Sequence, residues 1–170
     1  GRAFDNSKRV SFQDYLDLPS RTAARLELAL DLADDEADER RMLEQRGWRV
    51  RQGWRVAATP DSYRAYLRAS RGEFSCAKPS CMLLRNAWIS DRTLCYLASG
   101  KPAIVQHTGP SRILPDAGGL FRFRSPQEAV RAFAAVEADY EHHAQLARQL
   151  VEEHFEARKV VAKVLERALT

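Results

Sequence analysis

Two basic residues stand at positions from which a side chain can hold an anion. Arg92 follows Ser90 and Asp91 at the head of an apolar-periodic run. It therefore falls in the first turn of a helix, where free backbone N–H groups and the positive end of the helix dipole add to its own fork of donors. Lys78 comes just after the short apolar piece Glu73-Phe74-Ser75-Cys76-Ala77. That puts it at the carboxyl end of a strand, the side on which open parallel sheets take their ligands. Thr108 and Gly109 follow a further apolar run, and the glycine permits close backbone approach. Ser90 reads first as a helix cap, and a cap whose remaining N–H groups meet an anion serves both roles. Each residue also has a plainer reading: Arg92 paired with Asp91 or a neighbouring acid, Lys78 solvated in a loop, Thr108-Gly109 an ordinary turn.

The elements that must carry these residues are legible from periodicity and punctuation. Leu26 to Leu32 alternates strictly and reads as a strand, although 21–32 also fits a helix. Asp34 to Arg46, acids first and arginines last, reads as a helix with Gly47 as its C-cap. The echo Gly47-Trp48-Arg49-Val50 and Gly53-Trp54-Arg55-Val56 predicts two short strands around a turn. A helix over 60–70, a strand ending near Ala77, and a helix capped by Ser90 and stopped by Gly100-Lys101-Pro102 come next. Ala103-Ile104-Val105-Gln106 and Gly119-Leu120-Phe121-Arg122-Phe123 are strands, with a loop from His107 between them. Ser125-Pro126-Gln127-Glu128 opens a helical region that runs to Thr170 with a break near His154-Phe155-Glu156. Residues 1–20 are expected to be an irregular segment or linker, and 21–170 a single α/β domain with a parallel sheet covered by helices on both faces.

Composition bounds the classes. The 170 residues are 45% hydrophobic, enough for one core, and no run reaches the roughly 20 apolar residues of a membrane span. The opening residues lack the apolar stretch of a signal peptide. A net charge of +4 favours anionic partners only weakly. Cys76, Cys81 and Cys95 cannot all pair within the chain and show no ligand spacing, so no metal is expected and a reducing cytoplasm is the simplest location. His107 is assigned no catalytic role, and His142, His143 and His154 read as surface or packing residues.

From Ser62 onward the chain resembles the donor domain of GT-B-type glycosyltransferases, in a bacterial subgroup akin to the spore-coat type. The likeness rests on a series: Tyr63-Arg64-Ala65-Tyr66-Leu67, Ser70 to Lys78, the Ser90-Asp91-Arg92 helix ending in Ala98-Ser99-Gly100-Lys101-Pro102, Thr108-Gly109, Gly118-Gly119-Leu120 and the Ser125 helix start. The resemblance implies a Rossmann-like parallel sheet forming the C-terminal half of a GT-B fold. It further implies a nucleotide-diphosphate-sugar as donor substrate with no separate cofactor, and an N-terminal acceptor domain that completes the active site. In that setting Arg92 and Lys78 would clamp the diphosphate, with Ser90, Thr108 and Gly109 beside it, and the catalytic residue is not identified. One departure stands out: two glutamates found in many retaining members correspond here to Ala87 and Cys95. Glu73 is a weak substitute.

Rival classes are weaker. Asp35-Glu36-Ala37-Asp38 spells a helicase box, but the chain lacks a G-x-x-x-x-G-K-[ST] loop, and the acids do not fit a calcium loop. Arg46, Trp48, Arg49, Arg51, Trp54 and Arg55 mix stacking and basic groups as nucleic-acid binders do. Paired strands would more often turn those tryptophans inward, so nucleic acid is not the expected partner. A non-catalytic Rossmann-like interaction module is the remaining alternative, since a fold does not certify chemistry.

Overall fold

The computed structural model describes residues 4–169. Residues 1–3, part of the expected linker, and Thr170, the expected end of the last helix, lie outside the described residues. The strands are β1 (Glu27–Leu30), β2 (Arg49–Gln52), β3 (Glu73–Ser75), β4 (Ala103–Gln106) and β5 (Leu120–Phe123). All pair in parallel, but in two sheets rather than the one expected: β1 with β2, and β3, β4 and β5 in that order. A cleft of about 960 Å³ runs along β1 and β3.

The principal helices are α1 (Lys8–Phe12), α2 (Ala37–Gln45), α3 (Gly53–Val56), α4 (Pro60–Ala69), α5 (Pro79–Leu84), α6 (Asp91–Ala98), α7 (Pro126–Ala138), α8 (Tyr140–His154) and α9 (Ala157–Leu169). They lie on both faces of the strands, which β4 shows directly. Its Ile104 packs with Leu43, Trp48 and Phe133, while Ala103 and Val105 pack on the other side with Leu97, Ala147 and Leu150. A strand covered twice must be apolar throughout, and so β4 reads as a run rather than an alternation. β1 keeps its alternation: Leu28 and Leu30 face the first core, and Glu27 turns to Arg49 and Arg51 across β2. Among the described residues no helix is long and apolar enough to cross a membrane.

Several punctuation signals act as read. Gly47 takes φ +91 after α2, Ser90 and Ser125 cap α6 and α7, and the terminal helical region breaks between His154 and Ala157. A second break falls at Asp139, whose carboxylate accepts the His142 N–H at 3.2 Å and so starts α8. Residues 53–56, expected as a strand, form the helical turn α3. The cause is Asp31 at the end of β1: its Oδ1 accepts the Trp54 N–H at 2.7 Å, and a Cβ on Gly53 would come within 2.9 Å of the same atom. The six-residue α5 has no counterpart in the periodicity, because its Leu83 and Leu84 stay exposed.

The N-terminal segment departs most from expectation. After α1, two 3-10 turns cover Gln13–Tyr15 and Leu18–Arg21, and Tyr15 and Leu18 are 2% and 1% exposed. Phe12 lies 5.2 Å from Trp48, and Tyr15 5.1 Å from Phe123, ring centre to ring centre. Such aromatic pairs are apolar burial with preferred geometry, so this segment fills one face of the core instead of trailing from it. Its elements are too short to show a period.

Candidate functional site

Lys78, Thr108 and Gly109 follow the carboxyl ends of β3 and β4, whereas the Arg92 side chain reaches back to Glu73, the first residue of β3. Ser90, 7% exposed, accepts the Arg92 N–H through Oγ at 3.3 Å and donates to Asp91 Oδ1 at 3.0 Å. Asp91 Oδ1 takes the same Arg92 N–H at 2.9 Å. These bonds, the Arg92 N–H first and then the Ser90 hydroxyl, hold the Asp91 carboxyl below its ordinary range. The amide of Arg92 is thus already satisfied by the protein, and Ser90 acts as a cap.

The Arg92 side chain turns back to β3. Its Nε donates to Glu73 Oε1 at 2.8 Å, with Glu73 3% and Arg92 39% exposed at the side chain. Burial pulls the guanidinium toward neutrality, but the charge and hydrogen bond of Glu73 outweigh it and hold the group above its usual value. Glu73 Oε2 has no partner among the described residues. One edge of the guanidinium is therefore anchored by a buried carboxylate while the group still reaches solvent. A fixed, half-exposed Arg suits a planar oxyanion better than a freely swinging one.

A third cation joins Arg92 and Lys78. Lys8, from α1, is pushed below the usual lysine range by burial first, then by repulsion from Arg92, with Lys78 adding to it and Glu73 and Cys76 opposing. Its Nζ sits 5.3 Å from the centre of the Trp88 ring. Arg92 and Lys78 both repel Lys8, Arg92 the more strongly. Lys78 itself precedes α5 and is exposed, with its carbonyl accepting the Cys81 N–H at 2.9 Å. Reading the sequence missed Lys8, and no local signal marks it: it lies in the segment expected to be a linker.

Thr108 and Gly109 serve the scaffold. Thr108, 3% exposed, donates its hydroxyl to the Trp88 carbonyl at 2.7 Å and accepts the Ala87 N–H at its own carbonyl at 3.0 Å. Gly109 has φ +118, and a Cβ there would lie 2.3 Å from the Arg85 carbonyl oxygen. Its N–H donates to His107 Nδ1 at 3.2 Å. The His107 imidazole is lowered below its ordinary pKa, by burial first and then by Arg124. The two residues so pin the loop from α5 to α6, in which Arg85 and Ala87 both adopt left-handed backbone, φ 48 and 56. Two such residues cost on the order of 1–2 kcal/mol each and persist because the surroundings over-determine them.

Of the five residues marked in the sequence, only Arg92 lines the cleft between β1 and β3, and Lys8 lines it too. Around them stand Arg51, Tyr66, Glu73 and Tyr96 together with Phe12, Trp48 and Phe74. The cleft follows the facing strands β1 and β3 of the two sheets, from Gly72 and Glu73 at the start of β3 to Cys76 just past its end. In the mixed aromatic and basic stretch, Trp48 is buried while Trp54 is 58% exposed, with Arg55 over its ring. Arg49 and Arg51 are paired with Glu27. No protein-family model matches this chain, and comparison with curated proteins gives no significant match.

Proposed function

We propose that this chain is the donor-binding domain of a GT-B-type glycosyltransferase, which holds the diphosphate of a nucleotide-sugar beside Arg92 and works with an N-terminal acceptor domain. The observation that carries the reading is Arg92, in the first turn of α6 and held by buried Glu73, with Lys8 lining the same cleft between β1 and β3. Arg92 and Lys8, which repel each other near one buried carboxylate, gain from an anionic guest. Departure of the diphosphate from the sugar concentrates negative charge on its oxygens, and pre-oriented cations stabilise that charge more than they stabilise the ground state. Cys76, Cys81 and Cys95 are free thiols, which suits a reducing cytoplasm.

The test is a calorimetric and thermal-shift panel of uridine, guanosine and adenosine diphosphates and their sugars. At a hundredfold excess over Kd, a ligand of the folded state adds about 2.7 kcal/mol of stability. Arg92→Ala should weaken the best nucleotide at least about tenfold in a folded protein, as expected for loss of a charged hydrogen-bonding group. Silence across the whole panel at millimolar ligand would overturn the reading. A second reading, a non-catalytic interaction module, draws on a specific feature: the Ser90 Oγ, Thr108 Oγ1 and Gly109 N–H are all engaged within the protein. That reading predicts the silent outcome.

A further inference from the structure

A second concavity, of about 460 Å³, is walled by arginines from two helices and shares no lining residue with the cleft. Arg64 and Arg68 of α4, Arg148 of α8, and Ala98, Ser99 and Gly100 at the end of α6 form it. Gly100 stops α6 at φ +65, and the Ala98 carbonyl exposed by that stop accepts a hydrogen bond from Arg148 Nη1. Glu152, one turn further along α8, takes Arg148 Nε at 2.6 Å. Arg148 is thereby fixed, with its Nη2 unengaged among the described residues. Arg64 and Arg68 are exposed and have no ion pair or hydrogen bond among the described residues. Like charges four positions apart on a helix repel, and no acidic residue lines the concavity to offset them. The helix dipole accounts for Arg68, in the last turn of α4, but not for Arg64 a turn earlier.

We propose that this concavity binds the phosphate or diphosphate group of a small molecule, at a site separate from the cleft. Guanidinium forks match phosphate oxygens in pairs, and forks arriving from two helices can engage every peripheral oxygen of one such group. A carboxylate brings two oxygens and a single charge, too few for three arginines. A nucleic-acid strand asks for cations spread along its backbone, whereas these converge on one hollow. The inference does not rest on the donor site at Arg92.

Calorimetric titration of the whole chain with inorganic pyrophosphate at low ionic strength tests this, with Arg64→Gln/Arg68→Gln and Arg92→Ala beside the parent. Glutamine keeps the helix propensity of α4. Binding is expected in the parent, retained in Arg92→Ala, and at least about tenfold weaker in Arg64→Gln/Arg68→Gln. Without ligand, the double variant should melt no lower than the parent, because only repulsion has been removed. The proposal is overturned if the parent takes up no pyrophosphate at millimolar concentration, if the double variant binds as the parent does, or if Arg92→Ala alone removes the binding. A single-stranded oligonucleotide that binds where pyrophosphate does not would overturn it in favour of a polyanion surface.

Discussion

At the scale of single residues, the pair Glu73–Arg92 decides most about the cleft. A buried carboxylate is stable only when paired, and Glu73 has just the one bond, from Arg92 Nε at 2.8 Å, to hold it. Replacing Arg92 therefore strands a charge inside the protein, while replacing Glu73 frees a guanidinium that still touches water. Arg92→Ala should be the more destabilising of the two, by about 3 kcal/mol against about 1–2 kcal/mol for Glu73→Ala. The double variant should cost less than the sum, since no unpaired charge remains. Urea midpoints of the four proteins measure this. Additive losses would show that the two side chains do not depend on each other. Arg92 was legible as a first-turn arginine because capping is local. Its partner was not, because the two lie nineteen positions apart and meet only when β3 and α6 pack.

At the scale of elements, the short N-terminal helix and its 3-10 turns matter beyond their length. Tyr15 and Leu18 fill the core beneath Phe123 and Trp48, and Lys8 reaches the cleft from the same segment. Tyr15→Ala should lower stability by about 3 kcal/mol, the usual cost of emptying an aromatic site in a packed core. A linker residue would cost almost nothing, so chemical denaturation distinguishes the two roles. The same scale explains the error at 53–56. The Gly-Trp-Arg-Val repeat has strand-like composition in both copies, but only the first finds a partner strand, and Asp31 bonds the second into a turn. Composition cannot tell those fates apart.

At the scale of the whole molecule, buried titrating groups set the response to alkali. Burial raises the Cys76 thiol from 9.0 to about 12, and burial likewise raises Tyr15 from 10.0 to about 12. Both are acids whose neutral form the fold favours. Their contribution is intact below pH 9 and is lost as pH climbs toward 12, because the unfolded chain releases protons that the folded one retains. Lys8 acts in the opposite sense: its folded value is lowered, so it adds stability as pH rises toward 10.5. The acids outnumber it, and stability should fall above pH 9 by about 1.4 kcal/mol per pH unit for each acid in its window. Cys76→Ala should flatten that slope by about one proton's worth in urea titrations at pH 8, 10 and 11. An unchanged slope would mean that the thiol is not held neutral by the fold.

Periodicity and punctuation alone were enough to establish an α/β chain with parallel strands flanked by helices, and capped helices after Ser90 and Ser125. All of those depend on neighbours within a few residues. Only the tertiary structure decided that the strands form two sheets around a cleft, that Lys8 lines it, that Glu73 holds Arg92, and that Thr108 and Gly109 are engaged with the loop at Trp88. Each of these is a meeting of groups distant along the chain. Local pattern states which face of an element is apolar, but not which remote charge or strand edge will come to lie against it.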